Sequence, residues 1–171
     1  MSLPSILIDI ARNPWLSVGA TVVLGATVAK VSNNDRAHAY YASLSKPPGN
    51  PPTWALGPIW GTLYGMLGYA AHIIALDTSG EAQRALGLYY VQLSLNFVYM
   101  PIFFQVQSRE VALADIIAIT WLTWKLVDDT RGLSGPAYLL LLPYAIWMLY
   151  STYLNIGMIY LNSKVRGSGT R

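Results

Sequence analysis

Cysteine is absent from the 171 residues, and charged side chains make up only 11% of them. The first absence removes disulfide frameworks and thiolate metal sites. The second separates the chain from soluble domains, in which about 25% of residues are charged. Basic density is also missing. The net charge of +3 is owed partly to a C-terminal tail carrying Lys164, Arg166 and Arg171, which suits a juxtamembrane anchor and lacks any nucleic-acid motif. No His, Asp and Glu fall at metal-ligand spacing, and HExxH, P-loop and GxSxG patterns do not occur, so hydrolytic and phosphoryl-transfer chemistry lack their residues. The segment Met1 to Asn13 has one short apolar run, broken by Asp9 and followed by Arg12. That order does not make a cleavable signal peptide.

What is present is apolar: 54% of the residues, gathered into long blocks. A bilayer core about 30 Å thick needs about 20 helical residues to cross it. Five blocks meet that length: Trp15 to Val31, Pro58 to Leu76, Ala85 to Phe104, Val111 to Val127 and Pro136 to Leu161. Pro58 and Pro136 suit the first turns of their helices. The fourth block contains Asp115 and ends among Lys125, Asp128 and Asp129, and is kept as a span because Trp121 and Trp124 read as interfacial anchors. The expected fold is therefore an all-α integral membrane protein, a five-transmembrane-helix bundle forming one membrane domain over residues 1–171. Its longest connection is a lid-like loop over residues 32–57. With five crossings the termini face opposite sides, and seven of the eleven Lys and Arg residues lie on the side of the C-terminus and of that loop. The positive-inside rule makes that side cytoplasmic.

Phasing at 100° per residue then shows what each helix presents. On the third block Tyr89, Gln92, Asn96, Tyr99 and Phe103 share one sector, a polar and aromatic stripe that cannot face lipid without leaving amides unsatisfied. It therefore faces a ligand or other helices, as interhelical amide bonds would require. The fifth block gathers Tyr144, Trp147, Ser151, Leu154, Asn155 and Met158 in the same manner. On the second, Trp60, Tyr64, Leu67 and Ala71 lie on one side, and Gly61, Gly65, Gly68 and His72 about 100° away. The glycines predict close packing against a neighbour, with His72 structural. Asp115, the one carboxylate well inside a span, has no partner visible in the sequence, and is either a functional group or a residue that snorkels to the interface or bonds within the bundle. Of the six tryptophans, Trp15, Trp121 and Trp124 fit interfacial belts, whereas Trp54, Trp60 and Trp147 read as a wall for a large, flat, mostly apolar ligand.

The stretch YYASLSKPPGNPPTWALGPIWGTLY from Tyr40 to Tyr64 resembles the signature of the TspO/translocator protein family, formerly called peripheral benzodiazepine receptors. GLYYVQLSLNFVYMPIFF from Gly87 to Phe104, ALAD from Ala112 to Asp115, and LLPYAIW with YLN between Leu141 and Asn155 extend the resemblance, whose wording is closer to eukaryotic members. It implies a five-helix membrane receptor, often dimeric, that binds tetrapyrroles (protoporphyrin or haem) and sterol-like lipids in a pocket closed by the loop after the first helix, and that aids their transport. No cofactor is required, porphyrin or haem being a ligand. Tyr41, Leu56, Trp60, Asn96, Tyr99, Trp147, Leu154 and Asn155 match the pocket positions. Trp60 and Trp147 match tryptophans implicated in light- and oxygen-dependent porphyrin degradation, an enzymatic alternative to binding. The resemblance also implies a multi-pass protein of the mitochondrial outer membrane, with the endoplasmic reticulum or a bacterial membrane as alternatives. Departures bear on ligand choice. Gly49 stands where the loop usually has an aromatic residue, Tyr99 and Val111 stand where tryptophans are common, and Ile156 and Tyr160 break the register of the sterol-recognition pattern, leaving a shifted match of Leu154, Tyr160 and Lys164.

Overall fold

The computed structural model describes residues 3–167, with side chains to residue 163. The described residues fold as seven α-helices and a short π-helical turn, with no strand: α1 (Ser5–Arg12), α2 (Pro14–Ser32), α3 (Asp35–Ser43), α4 (Thr53–Ala75), α5 (Gly80–Pro101), the π turn (Ile102–Val106), α6 (Arg109–Arg131) and α7 (Gly135–Gly167). Five are long, and three stretches are long and apolar enough to cross a membrane: Pro14–Ser32, Gly80–Val106 and Gly135–Ser163. The chain is thus an all-α protein with membrane-spanning helices. α4 and α6 are also long, at 23 residues each. α4 is rich in Gly, Trp and Tyr, and α6 is charged at both ends.

Helix starts follow from local chemistry. The Asn13 side chain accepts from the Trp15 and Leu16 amides at 3.0 and 3.1 Å, and Pro14 follows at the first helical position, where a missing N–H costs nothing. Asn34, Ser79 and Ser108 cap α3, α5 and α6 in the same way, which is why α5 begins at Gly80 and not at Ala85.

Three expectations are corrected. Pro58 is not in a first turn, because α4 begins at Thr53. Its missing N–H leaves the Trp54 carbonyl without a helical partner. The 32–57 connection is not simply a loop, since it contains α3 and donates Trp54 and Leu56 to the start of α4. Gly61 and Gly65 do not pack on a neighbour: a Cβ at either would meet nothing within 4 Å. The close approach lies further along, at Gly68, whose carbonyl accepts from Ser17 Oγ at 2.7 Å and where a Cβ would sit 2.8 Å from the α2 backbone.

The short α1 was not anticipated. At eight residues it cannot cross a membrane, and it is tied to the bundle by polar bonds. The Tyr90 hydroxyl donates to the Leu7 carbonyl at 2.7 Å and Arg12 Nε to the Ala75 carbonyl at 3.3 Å, while His72 Nδ1 lies 3.1 Å from the Ala11 carbonyl. His72 is therefore structural. The long helices pack mainly as the pairs α2 with α4, α5 with α6, α6 with α7 and α4 with α7. This closes a bundle whose apolar core runs through Leu67, Leu86, Ile119, Leu126, Leu141 and Met148.

Candidate ligand pocket

The α5 stripe faces inward: Tyr89, Gln92, Asn96 and Phe103 are all buried. It is organised by proton supply. The Tyr144 hydroxyl has one proton and donates it to Gln92 Oε1 at 2.8 Å, so Asn96 Nδ2 must donate to Tyr144, which it does at 3.0 Å. That turns Asn96 Oδ1 toward α4, where it accepts from the Tyr64 hydroxyl at 2.5 Å. Tyr89 is bonded to Thr21 Oγ1 at 2.6 Å. Four helices, α2, α4, α5 and α7, are thereby joined through groups that lipid could not satisfy.

One turn further along, the stripe opens into a cavity of about 110 Å³. Of the eight residues singled out from the sequence, Tyr41, Leu56, Trp60, Tyr99, Trp147, Leu154 and Asn155 line it. Asn96 stands one layer behind, holding Tyr64, whose ring packs on Trp60 with centroids 5.2 Å apart. Trp60 and Trp147 meet edge to face at 6.3 Å. Asn155 Nδ2 donates to the Tyr99 hydroxyl. Two polar atoms on the α7 face of the pocket are buried without a partner, Trp147 Nε1 and Asn155 Oδ1.

Asn50, Pro51, Met100, Phe104 and Ile116 also line the cavity and were not foreseen. Asn50 and Pro51 are brought in by the fold of the 44–52 segment, where the Tyr41 hydroxyl donates to Asn50 Oδ1 at 3.1 Å. Phe104 depends on the π turn. Phe103 and Phe104 are adjacent and would lie about 100° apart on a regular helix, yet both reach the pocket because the turn widens before Gln107 ends it at φ 59°. Periodicity carries no sign of such a turn.

Other expected residues lie elsewhere. Trp54 is 78% exposed and belongs with the outward-facing tryptophans, not with the pocket wall. Asp115 Oδ2 is buried without a hydrogen-bond partner, next to but not among the lining residues. In the shifted sterol pattern Leu154 is buried in the pocket while Tyr160 is 57% exposed on another side of α7, and the side chain of Lys164 lies outside the described residues.

The lining carries no carboxylate, imidazole or ammonium group. Outside the lining, Lys46 Nζ sits 4.5 Å above the Tyr41 ring and donates to the Leu44 carbonyl at 3.1 Å. Burial raises the pKa of Tyr41 and of Tyr40 above 10.0, so both hydroxyls keep their protons at neutral pH. The lining is thus apolar and aromatic, with amides and a hydroxyl and no charged side chain.

The family model for the TspO/MBR family matches residues 17–161. A translocator protein from Bos taurus is 38% identical over 164 residues, covering 92% of this chain and 96% of its own. One from Homo sapiens is 35% identical over 148 residues, covering 83% and 88%. A tryptophan-rich sensory protein from Cereibacter sphaeroides is 34% identical over 129 residues, covering 72% and 77%. Family match and pairwise identity cover the helices that build the pocket, and the chain belongs to the TspO/MBR family.

Proposed function

We propose that the protein is a membrane receptor that takes large, flat, mostly apolar molecules, tetrapyrroles or sterol-like lipids, from the bilayer into the α4–α7 pocket and hands them on. The observation that carries this reading is the chamber itself. Trp60, Tyr99, Trp147 and Phe103 supply ring faces for stacking, and Trp147 Nε1 and Asn155 Oδ1, buried without partners, would be satisfied by a ligand once the wall moves to expose them. In this reading α4 and α6 also cross the membrane, giving five spans, since their buried faces pack between helices that do. The open Gly61 and Gly65 positions on α4 leave a surface on which a second copy could pack as a homodimer. From the eukaryotic-like wording of the resemblance we place the protein in the mitochondrial outer membrane, with the endoplasmic reticulum or a bacterial membrane as alternatives.

The test is titration with protoporphyrin while tryptophan fluorescence is followed. Saturable quenching that weakens in Trp60→Phe and Trp147→Phe supports the assignment. Absent quenching, or variants that bind as the parent does, overturns it.

A second reading has one observation in its favour, the edge-to-face contact of Trp60 and Trp147 inside the chamber, which places two oxidisable indoles against any bound porphyrin. The protein then degrades the porphyrin under light and oxygen. Illumination should yield a new tetrapyrrole spectrum in the parent, and an identical spectrum from the Trp60→Phe, Trp147→Phe double variant refutes it.

A further inference from the structure

The segment between α3 and α4 closes the pocket through Asn50 and Pro51, yet it has little with which to hold itself down. Gly49 offers no side chain and sits at φ 84°, and four of the residues from 47 to 52 are prolines. Besides the Tyr41 hydroxyl of α3 on Asn50 Oδ1, its fastenings come from α7, and these grip backbone. The Tyr150 hydroxyl donates to the Gly49 carbonyl, and the Tyr153 hydroxyl to the Pro48 carbonyl at 3.1 Å. Asn162 pairs reciprocally with Ser45, its Oδ1 accepting from the Ser45 amide at 3.0 Å and its Nδ2 donating to the Ser45 carbonyl at 2.9 Å. Between these points Pro47 lies on Gly157 so closely that a Cβ there would come within 2.7 Å of the proline ring.

We propose that Tyr150 and Tyr153 are lid-positioning residues, a hydroxyl clasp whose release sets the rate at which ligand enters and leaves. Volume supplies the need for release. The clasped chamber of about 110 Å³ is smaller than the roughly 300–1,000 Å³ of pockets that enclose drug-sized molecules, so a polycyclic ligand does not fit until the lid moves outward. Position supplies the means. Both tyrosines stand at the outer edge of α7, where their bonds to the lid are exposed and water can replace them at small cost. Tyr150 also packs on Trp147, with centroids 5.3 Å apart, so the clasp adjoins the pocket wall. Because the hydroxyls bind carbonyls and not side chains, lid closure tolerates a glycine at residue 49.

This rests on the proposed function only for the identity of what enters, and the experiment separates the two. The full chain in detergent is compared with a Tyr150→Phe, Tyr153→Phe double variant, which keeps both rings, and with Asn162→Ala. Hydrogen exchange of the Ser45, Lys46, Gly49 and Asn50 amides is measured without ligand, and protoporphyrin association and dissociation are followed by stopped-flow quenching. Loss of two exposed hydrogen bonds should raise lid exchange and both rates about tenfold, with exchange elsewhere in the bundle unchanged. Gly157→Ala should do the same by displacing Pro47. Lid exchange unaltered in the tyrosine double variant overturns the clasp, whatever Asn162→Ala does to the Ser45 amide it bonds, and so does faster exchange with unaltered rates. If the parent shows no protoporphyrin quenching but lid exchange rises in the variants, the clasp holds and the ligand assignment fails.

Discussion

Replacing Gly25 by alanine adds one methyl group where the structure has no room for it. A Cβ at Gly25 would lie 2.2 Å from Tyr64 Cε2 and 2.6 Å from Cδ2, well inside van der Waals contact. The ring cannot simply retreat. Its hydroxyl is fixed to Asn96 Oδ1 at 2.5 Å, and its faces and edges meet Trp60 at 5.2 Å and Phe97 at 6.0 Å. Overpacking of this kind costs about 1–3 kcal/mol, while the gain in helix propensity from glycine to alanine returns roughly 1 kcal/mol. The second quantity can be removed by comparison with Gly65→Ala, on α4, where the new methyl group meets nothing within 4 Å. The two variants should therefore differ in unfolding free energy by about 1–3 kcal/mol, with Gly25→Ala the less stable. Denaturation in one detergent, followed by circular dichroism, measures the difference, and a changed tryptophan emission should accompany it because Trp60 abuts Tyr64. Equal stability of the two variants would show that α2 and α4 are not packed as described.

Two further outcomes follow from the polar interior. Asn96→Leu removes the acceptor of Tyr64 and the donor to Tyr144. Interhelical bonds in membranes average about 0.6 kcal/mol, so the loss should be about 1–2 kcal/mol in the same denaturation assay, and no loss would remove Asn96 as the hub. At alkaline pH, Tyr41 and Tyr40 hold their protons more tightly in the native state than in the unfolded one, whose value is 10.0. Their contribution to stability is thus complete below that pH and is lost as pH climbs through the raised native values. Lid amide exchange should accelerate above pH 10, and a Tyr41→Phe variant that accelerates identically would assign the effect elsewhere.

Helix phasing recovered the inward faces of α5 and α7 because an amide in lipid has so few alternatives. Once Gln92 and Asn96 share a sector, that sector must be interior. The same argument failed for Gly61 and Gly65. Small residues permit close packing but do not compel it, and α2 and α4 meet closely at Gly25 and Gly68 instead. Trp54 was misplaced because α4 begins five residues before Pro58, which turns that indole outward. Asn50 and Pro51 were illegible, since what brings a loop residue to a pocket is a set of bonds to residues about a hundred positions away, such as Tyr150 to Gly49 and Tyr153 to Pro48. Residues carrying the family resemblance located most of the pocket. What fastens its lid lies on α7, outside the loop that drew attention first.

The bundle divides its polar groups into two kinds, and the division bears on what the pocket can select. Around Tyr89, Gln92, Asn96 and Tyr144 nearly every hydroxyl and amide is bonded to another, so that half is glue. Beyond Asn96 the pairing stops. Tyr99, standing where tryptophan is common in the family, offers a hydroxyl that ties down the amide nitrogen of Asn155 and leaves Oδ1 as the free acceptor, while Trp147 Nε1 is the free donor. These residues are eight positions apart on one helix, about 12 Å along its axis. A compact ligand could satisfy one of them at a time. Neither atom has surface in the chamber as it stands, so a flat polycycle with an acceptor at one end and a donor at the other satisfies both only as the wall moves to admit it. Of two ligands with equal apolar area the pocket should prefer the one so equipped, because leaving either atom unpaired costs about 1–3 kcal/mol.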